Sequence, residues 1–280
     1  LRFSTQWQKA NTGIRSMVKR GFHWEWISPP PLVQPKFSEN SPLVEFLVQD
    51  LLKKQAIYEV PVQPCFLSRI FPVRKSSGGH RLILDLSELN IFIKAPHFRM
   101  TNHSSLRRML DYPSWMVSID IQDAYLHVPI RKNLHKYLAF TCQKKLYFFQ
   151  ALPFGLAPAP LVFTTIMKFP LHLLRLKGIK VIAYLDDWMI WGNSLEETLH
   201  SLNQTLKVLT DLGFLIHRGK SQLTPSQHLK WLGVMWDSLH GTCTIPHDYM
   251  MEVKRQASAI ASVRKCKIWE NYICQDSRCY

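Results

Sequence analysis

Two acidic segments lie inside apolar, strand-like runs, and they constrain the fold more than any other feature of this chain. Asp120 lies within "WMVSIDI", and the Asp186-Asp187 pair lies within "AYLDDWMI". A carboxylate in an apolar strand is costly to bury unless it is paired or binds a cation. Acids placed in this way can converge on divalent cations, and hard oxygen ligands favour Mg²⁺ or Mn²⁺.

Such a site has a specific chemistry and also an ordinary alternative. A pair of metal ions about 3.5–4 Å apart can activate an attacking hydroxyl and stabilise a leaving phosphate. Asp-Asp is also common turn chemistry, and Tyr-x-Asp-Asp is a short pattern that occurs by chance. Neither segment assigns a function by itself, so the surrounding motifs decide between the two interpretations.

Basic residues outnumber acidic residues, which narrows the class of partner. The 280 residues include 35 Lys and Arg against 20 Asp and Glu, a formal net charge of +15. This surplus favours a polyanion such as nucleic acid, whereas no basic amphipathic helix indicates a membrane surface. With 46% hydrophobic and 20% charged residues, the composition favours a globular fold and excludes wholesale disorder.

The chain lacks the sequence signs of membrane insertion and secretion. No apolar run approaches the roughly 18–20 residues of a membrane span, and no secretory signal pattern opens the chain. The six cysteines form no C-x-x-C pair, so a zinc ribbon is disfavoured and reduced thiols are expected. We therefore expect an intracellular protein of the cytoplasm or nucleus. Because the chain begins with Leu1, we also expect a fragment of a longer protein, and its oligomeric state stays open.

Local patterns predict helices mixed with hairpin-connected strands, which is an α+β fold class. Helices are expected from Ser41, over 158–177 with Gly178 as the stop, and after Ser194, which forms a capping box with Glu197. Their apolar positions at helical spacing are Leu43, Phe46, Leu47 and Leu51 in the first helix, and Leu199, Leu202, Leu206, Leu209 and Leu212 in the last. Hairpins are expected over 66–86 with a tip at 76–79, around 143–145, around Asp186-Asp187 and over 228–236, with a further strand at 115–121. Trp7, Trp24 and Trp26 are expected to anchor an N-terminal arm on the body.

Five segments occur in the order and spacing of reverse transcriptase motifs, so the chain resembles that family over about 1–245. They are "SIDIQDAYLHVPI", "LPFGLAPAPLVFT", "AYLDDWMIWG", "LGFLIHRGKSQLTP" and "KWLGVMW", and "FPVRKSSGGHRLILDLSELN" resembles the fingers hairpin. Within the family, "YLDDW", "LPFGL" with a nearby "AP", and "QW…RGFHWEWISPPP" resemble DIRS-type retrotransposons, which encode a tyrosine recombinase. Gypsy-like elements are the nearest rival because they share the "LPFGL…AP" block.

The resemblance implies a right-hand polymerase with fingers and palm, the palm being an antiparallel sheet backed by helices. The expected regions are an N-terminal arm and Pro-rich linker at 1–40, fingers at 41–115, palm at 116–242 with a fingers insertion near 131–150, and a C-terminal region at 243–280. The C-terminal region does not resemble a continuing thumb. We therefore expect it to be a partial thumb or aberrant tail, so that the thumb is truncated or degenerate.

The resemblance also assigns catalytic roles to matching residues. Asp120 and Asp186 would bind two Mg²⁺ ions, with Mn²⁺ possible, while Asp187 assists and the backbone of Ile121 lies close to one metal. The residues expected to bind the incoming nucleotide are Lys75, Arg81, Asp123, Ala124, Tyr125, Phe154, Gly155 and Lys220. A bulky Tyr125 under the sugar would exclude a 2′-hydroxyl, and Lys220 would protonate the leaving pyrophosphate. The ordinary alternatives are a core aromatic for Tyr125, a solvated loop charge for Lys75 and a surface lysine for Lys220.

Trp231, Leu232 and Gly233 resemble a primer grip, and their alternative is a core β-turn. The histidines show no metal-ligand spacing, so they are expected at the surface or in packing. The implied function is an RNA-directed DNA polymerase of a retrotransposon, acting on deoxynucleoside triphosphates with an RNA or DNA template and a primer. The alternative function is an inactive retroelement remnant or a nucleic-acid-binding protein with the same fold.

Overall fold

The computed structural model describes a mixed fold of helices and antiparallel sheets, which confirms the predicted α+β class. The described residues are 5–31, 41–61, 64–75, 78–98, 100, 103–245, 250–251 and 253–257. The helices are α1 (Thr12–Arg20), α2 (Pro42–Lys53), α3 (Ser87–Asn90), α4 (His103–Met109), α5 (Ala159–Leu176) and α6 (Leu195–Asp211). Three 3-10 helices span Thr5–Lys9, Ala124–His127 and Lys132–Tyr137.

The strands of the described residues form four sheets. The strands are β1 (Ile57–Glu59), β2 (Ile70–Arg74), β3 (His80–Leu84), β4 (Trp115–Asp120), β5 (Ala139–Cys142), β6 (Lys145–Phe149), β7 (Lys180–Tyr184), β8 (Asp187–Gly192), β9 (Gln222–Ser226), β10 (His228–Trp231), β11 (Val234–Asp237) and β12 (Thr242–Thr244). The central sheet has the order β7-β8-β4-β9, and all its neighbouring pairs are antiparallel. The others are the β2–β3 hairpin, β1-β6-β5 and β10-β11-β12.

The central sheet is buried on both faces, which explains why β4 and β8 are continuous apolar runs in the sequence. Ile119 and Trp188 belong to the main core, to which α5 and α6 also contribute. Met116 and Met189 point to the other face, where Trp231 of β10 shares a second cluster with them. Because both faces are covered, a charged side chain is tolerated only at the edge where the strands end, and this is where Asp120 lies.

The N-terminal tryptophans anchor the arm on the body, as predicted. Trp7 is fully buried, and its indole Nε1 donates a hydrogen bond to the carbonyl of Leu212 at 3.1 Å. Trp24 is buried, and it contacts the half-buried Trp26 edge to face at 5.4 Å between ring centroids. The Pro run of the predicted linker, 29–31, is in no helix or strand, whereas 32–40 lie outside the described residues.

Helix caps are confirmed, with one difference in detail. The Ser41 hydroxyl accepts from Val44 N at 3.3 Å, and the Ser194 hydroxyl accepts from Glu197 N at 3.1 Å. The Glu197 carboxylate reaches the backbone N–H of Asn193 at 2.8 Å, one residue before the cap. These contacts satisfy N–H groups that no helical partner can reach, so both helices begin where the sequence predicted.

Two of the apolar residues at helical spacing are not buried in the core. Phe46 is 68% exposed, because α2 turns Val44, Leu47, Val48 and Leu51 toward the core instead. Leu199 is 36% exposed, whereas Thr198 and Thr205 of α6 are fully buried. Each threonine hydroxyl donates to the carbonyl four residues earlier at 2.8 Å, which satisfies the buried polar group locally.

The acidic hairpin turns one residue earlier than predicted. β7 ends at Tyr184 and β8 begins at Asp187, so Leu185 and Asp186 form the turn. Leu185 adopts a positive φ of 52°, a conformation that the sequence alone would assign to Asp. Cross-strand pairing fixes this register, because Tyr184 pairs with Asp187.

The C-terminal prediction falls mostly outside the described residues, which stop at 257 and omit 246–249. Residues 250–251 and 253–257 are helical and exposed where their burial is described. Cys65, Cys142 and Cys243 are free thiols, while the three later cysteines lie outside the described residues. Among the helices that the structure describes, none has the length and apolar character needed to cross a membrane.

Candidate active site

The fold brings the two acidic segments together at one end of the central sheet. Asp120 ends β4 and pairs in register with Asp187, the first residue of β8. The backbone N–H of Ile121 donates to the carbonyl of Asp186 at 3.0 Å, which fixes the turn against the end of β4. Three carboxylates from two segments that are distant in sequence therefore lie where the strands end, and Asp120, Asp186 and Asp187 together form the acidic sheet edge.

These acids border a cleft of about 450 Å³ between the β2–β3 hairpin and the central sheet. Its lining includes nine of the predicted site residues: Lys75, Arg81, Asp120, Ile121, Asp123, Ala124, Phe154, Asp186 and Lys220. It also includes Lys54, Gly78, Gln122, His217 and Gly219, which the sequence did not single out. Asp187, Tyr125, Gly155 and the predicted primer grip are not part of this lining.

The segment that follows α6 holds the end of β4 in place. His217 N donates to the carbonyl of Asp120 at 2.9 Å, and Gln122 N donates to the carbonyl of Leu215 at 2.8 Å. Asp120 N in turn donates to the hydroxyl of Ser221 at 3.0 Å. Both backbone groups of Asp120 are therefore satisfied, and its side chain is left to act in the cleft.

Burial raises the pKa of all three acids, and repulsion from neighbouring carboxylates adds to it for Asp187 and Asp120. Burial, with added repulsion from Asp186 and Asp120, raises the pKa of Asp187 to about 6. Burial likewise raises the pKa of Asp120 and of Asp186, against the opposing charge of Lys220. Partly desolvated carboxylates that repel one another fit a divalent cation, because its charge offsets the repulsion and hard cations take oxygen ligands.

Cationic side chains surround the rest of the cleft. Burial, followed by repulsion from Arg81, lowers the pKa of Lys75. Lys54, at the end of α2, forms ion pairs with Asp50 at 2.6 Å and with Asp123 at 3.0 Å. Asp50 and Lys54 are four residues apart on the helix, but only the packing of α2 on the fingers strands brings Lys54 to Asp123. The four-residue spacing predicts the ion pair of Asp50 with Lys54, but no sequence pattern predicts the contact of Lys54 with Asp123.

An aromatic wall forms one side of the site. The Arg81 guanidinium lies 3.9 Å from the centroid of the Phe154 ring, a cation–π stack. Phe154 lies 4.9 Å from Tyr125, and Tyr125 lies 5.8 Å from Phe163, measured between ring centroids. Burial, together with the nearby Asp186, raises the pKa of Tyr125 to about 12, so the phenol stays neutral.

Gly155 is required by the backbone beside this wall. Its φ is +102°, and a Cβ at this position would lie 2.4 Å from the carbonyl oxygen of Leu84. Asn90 clamps the same loop, because its amide donates to the Gly155 carbonyl at 2.8 Å and accepts from Ala157 N at 2.9 Å. The sequence did not identify Asn90, which holds Phe154 against the fingers strand.

A short 3-10 helix carries Tyr125 into position. It begins at Ala124, which is buried at the cleft, directly after Asp123, whose φ of 48° is left-handed. His127 ends the helix: its Nδ1 lies 3.3 Å from the carbonyl of Ala124, and its Nε2 accepts from Leu215 N at 3.1 Å. A buried, neutral imidazole thus ties the helix to the segment that supports Asp120.

The predicted primer grip lies on the β10–β11 hairpin. Trp231 is only 3% exposed and packs in the second core cluster, so its side chain contributes to packing. Leu232 and Gly233 form the turn with φ of 49° and 77°. In this turn Gly233 is exposed and Leu232 is partly buried.

Comparison with known proteins supports a single family. Residues 73–236 match the family model described as reverse transcriptase (RNA-dependent DNA polymerase). The Gag-Pro-Pol polyprotein of Bovine leukemia virus (isolate Australian) is 27% identical over 222 residues, 75% of this chain and 16% of that protein. The Transposon Tf2-3 polyprotein of Schizosaccharomyces pombe is 25% identical over 161 residues, 58% of this chain and 12% of that protein.

Solved structures show the same fold. A foamy viral protease-reverse transcriptase in complex with double-stranded DNA has a TM-score of 0.72 at 20% identity, covering 82% of this chain and 39% of that one. The corresponding complex with an RNA/DNA hybrid has a TM-score of 0.64 at 19% identity, covering 88% of this chain and 36% of that one. The family match spans more than half of the chain and includes the acidic sheet edge, and the chain therefore belongs to the reverse transcriptase family.

Proposed function

We propose that this chain is an RNA-directed DNA polymerase of a retrotransposon, which extends a primer with deoxynucleotides. The observation that carries the proposal is the convergence of Asp120, Asp186 and Asp187 at one sheet edge beside a basic cleft. The curated relatives are retroviral and transposon polyproteins, and the chain spans 16% or less of the two described above. The activity, substrates and partners of those longer proteins are therefore part of the proposal.

Reverse transcriptases generally depend on divalent metal ions, and the acidic edge has the donor set for two Mg²⁺ ions. Asp120 and Asp186 would hold them, with the backbone of Ile121 close by and Asp187 assisting. When bound, the ions supply charge that lowers the pKa of the primer 3′-hydroxyl and neutralises the phosphates. Mn²⁺ has the same preference for oxygen ligands and would substitute.

The other residues of the cleft bind and orient the nucleotide. Arg81 and Lys75 are placed for the triphosphate, Arg81 as a planar fork held on Phe154 and Lys75 as a point charge. Asp123 and Ala124 would line the triphosphate site, and Gly155 would let the backbone approach closely. Lys220 lines the same cleft, where its charge acts on the three acids, and would give a proton to the leaving pyrophosphate.

Sugar selection would fall to Tyr125. Its ring is held between Phe154 and Phe163, so it cannot move away from a 2′-hydroxyl without disturbing two aromatic contacts. Steric exclusion by a fixed aromatic favours deoxynucleotides. Catalysis is then mostly positioning and neutralisation of charge, as in other phosphoryl transfers.

The nucleic-acid partner would be a template of RNA or DNA with its primer. The solved neighbours are complexes with double-stranded DNA and with an RNA/DNA hybrid, and the positive charge of this chain suits the same class of ligand. The Leu232-Gly233 turn would contact the primer, with Trp231 as its buried anchor. The proposed regions are fingers at 41–115, palm at 116–242 with the insertion near 131–150, an arm at 1–40, and a partial thumb within 243–280.

A finer assignment to DIRS-type elements rests on "YLDDW" and on the Trp-rich N-terminal segment. That segment is built into the fold through Trp7 and Trp24. Sequencing the genomic flank tests the assignment: a tyrosine recombinase frame beside this chain supports it, and an integrase frame of the gypsy type contradicts it.

Primer extension on an RNA template, with deoxynucleotides and Mg²⁺, tests the function. Wild-type protein is compared with Asp186→Asn, and circular dichroism verifies that both are folded. Extension by the wild type that is lost in the variant supports a polymerase with its metal site at this edge. No extension by a folded wild-type protein would favour the alternative, an inactive remnant or nucleic-acid-binding protein.

A further inference from the structure

A second group of potential metal ligands lies on the hairpin that carries the predicted primer grip. His228 begins β10 and pairs in register with Asp237, the last residue of β11. His240 follows three residues after Asp237, and the ligand atoms of the three side chains lie within 4.8 Å of one another. The spacing of the histidines in the sequence predicted no metal site, because strand register and not sequence spacing brings His228 close to Asp237 and His240.

The carboxylate of Asp237 is already oriented. Its Oδ1 accepts from the backbone N–H groups of Leu239 at 3.0 Å and His240 at 3.1 Å. Its Oδ2 faces both imidazoles, at 3.2 Å from Nε2 of His228 and 2.8 Å from Nδ1 of His240. One oxygen therefore fixes the side chain, and the other meets two nitrogens from different parts of the chain.

The spacing of these atoms suits a small tetrahedral ion. Zinc takes imidazole nitrogen and carboxylate oxygen at about 2.0–2.1 Å, which puts neighbouring ligand atoms of a tetrahedron about 3.3 Å apart. Of the two nitrogen–oxygen distances, that of His228 at 3.2 Å matches this separation and that of His240 at 2.8 Å is shorter. The imidazoles are mostly exposed, with side-chain exposures of 57% and 66%, so small rotations can complete the geometry.

We propose that His228, Asp237 and His240 form a binding site for Zn²⁺, separate from the acidic sheet edge. Two nitrogens and one oxygen select a borderline transition metal over Mg²⁺, which prefers oxygen ligands. The fourth position is open to water. The two metal sites of the chain thus differ in the ions that they select.

The proposed ion would join the open end of the β10–β11 hairpin to the residues that follow it. Ser238, next to Asp237, donates from its backbone N–H to the Gln227 carbonyl at 2.9 Å, and its hydroxyl donates to the Ser114 carbonyl. The hairpin base is therefore already attached to Ser114, the residue that precedes β4 of the central sheet. A bound Zn²⁺ would extend this attachment to β10 and His240, and so stabilise the hairpin whose turn is Leu232-Gly233.

Zinc titration of the full chain tests the site. The binding isotherm is measured in excess Mg²⁺, which competes for the all-carboxylate edge, and compared among wild type, His228→Gln, His240→Gln and the control His200→Gln. His200 is exposed on α6, away from the cluster. We expect one equivalent of zinc in wild type and control, and affinity weakened at least about tenfold in each cluster variant.

A spectroscopic readout separates this site from any other bound zinc. Co²⁺ in a tetrahedral nitrogen–oxygen site absorbs visible light, and that band should appear in wild type and His200→Gln and be missing in both cluster variants. Circular dichroism confirms that each variant is folded. The proposal is overturned if wild type binds no zinc, or if both folded cluster variants keep its affinity within about twofold, which would leave a hydrogen-bonded Asp–His cluster only.

Discussion

Carboxylates at two places in this molecule show opposite behaviour. At the acidic sheet edge, burial raises the pKa of Asp120, Asp186 and Asp187, and added repulsion from Asp186 and Asp120 raises that of Asp187 to about 6. On the β10–β11 hairpin, hydrogen bonds from His240 lower the pKa of Asp237 to about 2. At the acidic sheet edge, the nearby positive charge does not offset the burial and repulsion of the carboxylates. On the hairpin, hydrogen bonds already stabilise the charged form of Asp237. An acid suited to catalytic metal binding is thus distinguished by its surroundings and not by its residue type.

The largest difference between the two regions should appear in catalysis. Asp186→Asn removes a metal ligand, so the rate of nucleotide incorporation should fall at least about a thousandfold, or about 4 kcal/mol in the barrier. The matched control Asp237→Asn removes an acid of equal charge outside the cleft, and in zinc-free buffer it should lower the rate far less than Asp186→Asn. Single-nucleotide primer extension measures both, and equal losses in the two variants would contradict the assignment of the cleft.

A buried base beside the sheet edge provides the next test. Burial lowers the pKa of His127 to about 4, while an unfolded chain titrates near the ordinary value of 6.5. Between those values the unfolded state binds the extra proton, so the stability present above pH 6.5 is lost progressively as the pH falls toward 4. The loss should reach about 3 kcal/mol.

His127→Gln keeps a donor and an acceptor but cannot titrate, so this pH dependence should largely disappear. Urea unfolding between about pH 7 and pH 4.5 measures the slope for the variant, for wild type and for the exposed control His200→Gln. An unchanged slope in His127→Gln would show that other groups cause the acid sensitivity. The control should follow the wild type throughout.

Removing the partly buried charge of Asp187 from the acidic sheet edge should change the free energy of unfolding by less than the titration of His127 does. The pKa of Asp187 is raised from 3.8 to about 6, so its contribution to stability is greatest below pH 3.8 and falls as the pH rises through 6. With divalent cations chelated, Asp187→Asn should therefore raise the free energy of unfolding at pH 7. Because the side chain is partly exposed, we expect about 1–2 kcal/mol.

Urea unfolding in chelator measures this gain for Asp187→Asn, and repeating it near pH 4 supplies the control. At the lower pH the wild-type carboxyl is mostly protonated, so the two proteins should converge. A variant that is destabilised at pH 7 would mean that Asp187 makes favourable contacts that outweigh the repulsion.

Local chemistry explains what the sequence predicted correctly. The apolar runs of β4, β7 and β8, and the Ser194 cap of α6, depend on residues that are close in sequence, and the structure has them in place. The convergence of Asp120 with the Asp186-Asp187 pair followed from where those runs end. The order of the reverse transcriptase motifs then predicted the polymerase fold that surrounds these acids.

Contacts between distant segments explain what the sequence missed. Lys54 reaches Asp123 only because α2 packs on the fingers strands, and Asn90 reaches Gly155 across 65 positions. His228 meets His240 through hairpin register, and Trp231 is buried because the second face of the central sheet needs a cover. None of these contacts has a periodic or spaced pattern in the sequence.

The smallest expected effect concerns the satisfied carboxylate. The pKa of Asp237 is lowered from 3.8 to about 2, so its stabilising contribution is present above 3.8 and is lost as the pH falls toward 2. In metal-free buffer, Asp237→Asn should slightly destabilise the hairpin at pH 7, which is opposite in sign to Asp187→Asn. Hydrogen exchange of the β10–β11 amides measures the stability of the hairpin itself, whereas a global unfolding curve would not resolve so small a destabilisation. Slower exchange in Asp237→Asn than in wild type would mean that the two acidic regions respond alike, and the contrast between them would fail.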